Sequence, residues 1–100
     1  MGVKHIQRYE RGDTVRVTAV FKDNEGNLIT PTSPQYDVRK PDQTYLVEAT
    51  TISAIGTGTY KADIDMALTA DLGTYVVRVY GMYNGHRILN SEHFIIVDVI

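Results

Sequence analysis

The sequence contains no cysteine. Disulfide staples and a thiolate nucleophile are therefore excluded, and the fold must stand on packing alone. Oxidising and reducing compartments are both compatible with it. Tryptophan is absent too, and phenylalanine occurs only twice, so tyrosine, with seven copies, supplies most of the aromatic content. Neither sign of charge dominates: ten Lys and Arg against twelve Asp and Glu leave a formal charge of −2. Binders of nucleic acid or anionic membranes normally show a basic face, so neither partner class is expected. No apolar run approaches the ~20 residues that span a bilayer, and membrane insertion is not expected. The opening residues Met1-Gly2-Val3-Lys4-His5-Ile6 carry no apolar stretch of a secretory signal. Localisation stays open, with a virion and a cell surface both admissible.

What is present favours strands. One hundred residues correspond to one domain, 1–100, that buries roughly two-thirds of its unfolded surface. Val, Ile, Thr and Tyr are the residues that suit a pleated, half-buried sheet. Residues 3–9 read as an edge strand, with Lys4 and Arg8 discouraging unwanted pairing. Residues 14–22 alternate, placing Val15, Val17, Ala19 and Phe21 on one face. After a polar turn at 23–27 and a brief extended piece at 28–30, Pro31-Thr32-Ser33-Pro34 is expected to fix a loop. Strands follow at 35–40, with Tyr36 and Val38 inward, and at 45–52, joined by a Pro41 turn.

Residues 53–58 read as a glycine-bearing connection, and 59–65 as a strand with Tyr60, Ala62 and Ile64 inward. One helical turn is expected at 66–70, then a long strand at 74–82. Asn84-Gly85 is a strong hairpin signal, and the last strand returns from Arg87. In that register Asn90 and Glu92 would face the core side opposite Val79 and Val77, so a bulge is expected between Ile88 and His93. Seven short, evenly spaced strands without a helix describe an all-β, single antiparallel sandwich.

Asp71, Gly73 and Tyr75 stand at the spacing of a tyrosine corner, in which the ring hydroxyl bonds back to upstream backbone. With Gly12-Asp13-Thr14-Val15, Lys40-Pro41-Asp42, Gly56-Thr57-Gly58-Thr59-Tyr60, Gly85 and Phe94, the chain resembles an immunoglobulin-like domain of the bacterial and phage type. A transthyretin-like or macroglobulin-type sandwich fits the same string. Val77 stands where antibody-like domains carry a cysteine, and with no tryptophan, Tyr36 or Val38 must fill the centre. The resemblance implies a spacer or adhesive module of virion, surface or secreted proteins, with no cofactor.

Several short patterns have both a chemical and a structural reading. Arg11-Gly12-Asp13 is the integrin-binding tripeptide, and is equally a charged edge, a turn glycine and an Asp before a strand. Asp23, Glu25 and Asn27 alternate oxygen ligands, but Pro34 falls where the closing bidentate Glu of a calcium loop belongs, leaving a solvated turn. His5, His86 and His93 lack metal-site spacing. Ser33, Ser53 and Ser91 lack a nucleophile-elbow context, and no catalytic residues are assigned. Tyr45, Tyr80 and Tyr83 are candidates for a sugar-stacking surface, or simply strand tyrosines.

The strands at 74–82 and 87–100 carry apolar residues on both faces. Only one set from each enters a core, which leaves Val76, Tyr80, Ile95 and Val97 as a contiguous outward stripe, with Val99 on the same face. Such a stripe predicts a partner surface, for another protein or for a second copy, anchored on Tyr80. The function read from the sequence is a non-catalytic structural or interaction module docking through a sheet face. A carbohydrate- or other ligand-binding module is the alternative.

Overall fold

The computed structural model describes residues 7–98. The expected strand start at 3–6, His5 and Val99 lie outside the described residues. Eight strands follow in order: β1 (Gln7–Glu10), β2 (Thr14–Val20), β3 (Thr32–Arg39), β4 (Tyr45–Thr51), β5 (Ser53–Gly56), β6 (Thr59–Asp65), β7 (Gly73–Tyr83) and β8 (His86–Val97). They form a five-stranded sheet, β1-β8-β7-β3-β4, facing a three-stranded sheet, β2-β6-β5. Every pairing is antiparallel except that of β1 with β8. The fold is an immunoglobulin-like β-sandwich.

Alternation builds the core. Val15, Val17 and Ala19 of β2 and Tyr60, Ala62 and Ile64 of β6 pack toward Val38, Tyr75, Val77, Val79, Phe94 and Ile96 of the other sheet, all of them buried. The Tyr75 ring stacks on Phe94, centroids 5.1 Å apart, and Tyr9 meets Phe94 edge-on. Val38 is fully buried, and Tyr36 is partly buried against the same cluster.

The structure corrects four local expectations. The chain does not end a strand at residue 52 and loop onward: Ile52 is buried as a pivot, and Ser53–Gly56 continues as β5 in the opposite sheet. The Pro31–Pro34 segment is not wholly a loop, because β3 begins at Thr32. An extra residue between Thr32 and Gln35, with Ser33 at φ 50°, admits Pro34 to the strand as a bulge. Residues 66–70 make one hydrogen-bonded turn, Ala70 N–H to Ala67 O at 3.1 Å, and no helix.

The fourth correction is the absence of the expected bulge in β8. Pairing with β7 is regular from Tyr83↔His86 to Gly73↔Ile96, so Asn90 and Glu92 do lie opposite Val79 and Val77. Both are half-buried rather than sealed in. The Asn90 amide donates to the Val20 carbonyl at 3.1 Å, satisfying backbone at the end of edge strand β2, and Glu92 is also engaged. A polar side chain is tolerated on the core side where a sheet edge offers it an unmet acceptor.

Candidate interaction surface

At the end of the sandwich where β6 turns into β7, the corner closes on itself. The Tyr75 hydroxyl donates to the Asp71 carbonyl at 2.7 Å, and the side chain is fully buried. Burial first, then the Asp71 carboxylate, push its phenol above the usual tyrosine range. Gly73, at φ 129°, leaves no room for a side chain, since a Cβ there would meet the Pro41 ring at 3.0 Å. Arg11 is tied into the same corner: its Nε donates to Ala70 O at 2.8 Å, and its guanidinium lies 3.6 Å from Asp98. The Asp13 carboxylate accepts the Glu10 backbone N–H at 2.8 Å. Arg11, Gly12 and Asp13 thus serve a turn that staples β1 and β2 to the corner. A shallow hollow of about 240 Å³ opens beside it, lined among others by Lys40, Leu46, Met66 and Ala70.

The two outer faces of the sandwich differ in chemistry. On β2 and β6, Arg16 pairs with Asp63 at 2.8 Å, Lys61 lies 3.9 Å from Asp63, and the Thr14 hydroxyl donates to Asp65 at 2.7 Å. The Arg16 hydrogen bond holds the Asp63 carboxyl below its usual range. That face is mostly polar, with Val20 and Ile55 exposed at its margins.

The outer face of the five-stranded sheet is half apolar. Val76 sits between His93 and Arg39, Ile95 opposite Thr74, Val97 beside Glu10, and Tyr80 between Leu89 and Gln35. All four expected partner-surface residues are half-buried. They do not form one stripe. Val76, Ile95 and Val97 group toward the corner end, and Tyr80 lies toward the hairpin end, with Arg78 between.

Met82 and Leu89 extend the Tyr80 patch, 41% and 52% exposed. Neither was singled out in the sequence, although Leu89 falls on the outward set of its strand. Arg78 makes a bidentate pair with Asp37, at 3.0 and 2.7 Å, and Asp37 is 1% exposed despite its outward position. Arg39 lies over the Tyr45 ring at 5.1 Å and donates to its hydroxyl, and Arg87 lies over the Tyr80 ring at 4.8 Å. The β3–β7 register, which nothing local in the sequence sets, brings Asp37 to Arg78, while the Arg39–Tyr45 and Arg87–Tyr80 contacts lie within the β3–β4 and β7–β8 pairs.

The other chemical candidates are dispersed. Tyr83 packs partly against the core, while Tyr45 and Tyr80 stand on separate strands under guanidinium groups, so the three rings make no common platform. The Asp23 carboxylate accepts N–H groups of Glu25 and Asn27, both at 2.9 Å, which hold it below its usual range. Ser33, Ser53 and Ser91 lie on three different strands, and His86 and His93 are separated along β8. Among the described residues no three His, Cys, Asp or Glu are grouped to hold a metal ion, and no helix is long and apolar enough to cross a membrane.

No protein-family model matches the chain, and neither does any curated protein. Among solved structures the chain is similar to Salmonella alpha-2-macroglobulin, in the methylamine-reacted protein and in a point mutant alike: TM-score 0.76, 22% identity, over 95% of this chain. It is also similar to a DUF4785 family protein of Legionella pneumophila, TM-score 0.60 and 12% identity over 93% of this chain. The similarity is one of fold. This chain spans 6% of the length of the first and 26% of the second.

Proposed function

We propose that this domain is a non-catalytic docking module that engages a protein partner through the outer face of its five-stranded sheet. The observation that carries the reading is the asymmetry of the two faces. One is laced with polar pairs, and the other sets Val76, Tyr80, Met82, Leu89, Ile95 and Val97 among arginines. Half-exposed antiparallel sheets normally keep the outer row polar, and Tyr, Met and Arg are the residue types enriched where partners bind.

The β4 and β5 edges are less suited to docking. The β3–β4 and β5–β6 pairings are irregular, with extra residues on β4 and β5, and such bulges turn an edge away from further pairing. Both of these fold neighbours carry this architecture as part of a longer chain, which agrees with a module. The test is solution mass, measured alone and in mixtures with the products of neighbouring genes. Val76→Lys and Tyr80→Glu are expected to keep the fold and lose the assembled species. A wild type and variants of identical mass in every mixture overturn the reading.

A further inference from the structure

We infer that the partner of this face is an acidic protein surface, one that brings carboxylates to Arg39 and Arg87 and apolar side chains to the ground between them. The inference rests on the docking reading above. Five cationic or ionisable basic groups stand on the outer face: Arg8, Arg39, Arg78, Arg87 and His93. Asp37 is consumed by Arg78, to which both of its oxygens are bound. Glu10 stands at one margin beside Val97, and Glu48 on the outermost strand. Among the described residues Arg8, Arg39 and Arg87 have no carboxylate partner. The Arg39 Nε is moreover buried without any acceptor. Each of Arg39 and Arg87 lies over a tyrosine ring, a contact that restricts the guanidinium before a carboxylate arrives. No carboxylate among the described residues neutralises these guanidinium groups, of which Arg87 is exposed and Arg39 half-buried.

Scale decides the kind of partner. The rows holding Arg39 and Arg87 are those of Val76 and Met82, six residues apart along β7 and so about 20 Å. No small ligand bridges that. Five strands about 4.8 Å apart, with central strands of eleven and twelve residues, give a face of roughly 700 Å². That is close to the ~800 Å² each partner contributes to a standard protein interface. A second copy meeting this face with its own would set guanidinium against guanidinium and desolvate both without an acid. Val76 and Met82 beside the arginines, and Leu89 between their rows, suit a protein surface better than a phosphate backbone.

The test is fluorescence anisotropy with a labelled glutamate–tyrosine copolymer, run beside labelled heparin and a single-stranded oligonucleotide. The copolymer is expected to bind, less tightly as salt rises. Arg87→Glu, at an exposed position, and Arg39→Gln are each expected to weaken it roughly tenfold, the scale of one lost charge pair. Lys22→Glu and Lys61→Glu, away from the face, are expected to leave it unchanged. Failure of the copolymer to bind, equal binding by all variants, or tighter binding of either other polyanion overturns the inference. If the copolymer fails while Val76→Lys still abolishes assembly in the solution-mass experiment, the acidic partner falls and the docking reading stands. If Val76→Lys leaves assembly intact, the docking reading itself falls.

Discussion

Tyr75 and Asp37 show two ways in which a buried polar group is satisfied. The Tyr75 hydroxyl reaches four residues back to the Asp71 carbonyl, a local contact whose spacing is visible in the sequence. Tyr75→Phe keeps the ring on Phe94 but leaves the carbonyl without its donor, and should cost about 1–3 kcal/mol in a denaturant titration. Asp37 is satisfied by Arg78, 41 residues away, through a pairing that no local pattern announces. The sequence reading accordingly found the first and missed the second. Asp37→Ala strands a partly buried guanidinium and should cost at least about 2 kcal/mol, much of it recovered in the Asp37→Ala/Arg78→Met double variant. Acid should act through three surface carboxylates. Asp23, Asp42 and Asp63 are held below their usual range, chiefly by hydrogen bonds from Asn27, Thr44 and Arg16. Their contribution is present above the unfolded carboxylate pKa and is lost as pH falls through the lower folded values. Unfolding midpoints should therefore be flat near neutrality and decline below about pH 4.

At the scale of the element, alternation was enough to place β2, β6 and β7 and the inward residues of each, because a period of two is written in the chain itself. The sheet to which a strand belongs is not written there. Ile52 shows this: 45–52 reads as a strand and 53–58 as a connection, yet Ser53–Gly56 is a strand of the opposite sheet and Ile52 is buried where the chain crosses. Ile52→Ala should cost about 2–4 kcal/mol, read as a lowered denaturation midpoint with an unchanged slope. Gly73→Ala places a side chain against Pro41 in a conformation that L residues rarely adopt, and about 1–3 kcal/mol of destabilisation is expected by the same assay. The bulge expected in β8 failed for an instructive reason. It assumed that every core-side position is dry, whereas Asn90 meets the carbonyl of Val20 at the end of an edge strand. A regular register with a polar residue beside an open backbone group competes well with a bulge.

For the whole molecule, the sandwich presents one mostly polar face and one that mixes arginine, tyrosine and aliphatic side chains. The outward apolar residues of β7 and β8 were legible from their doubled apolar rows. The Asn84-Gly85 hairpin set the β7–β8 register, but the placement of β3 and β4 beside β7, which brings in Asp37, Arg39 and Tyr45, was not legible, because strand order arises only on folding. The most direct test is photo-crosslinking in the native host, with a photoreactive phenylalanine analogue at Leu89 on the arginine-bearing face or at Thr18 on the polar face. Docking through the five-stranded sheet predicts a discrete protein adduct from Leu89 and none from Thr18. Adducts from Thr18 with none from Leu89 would contradict it.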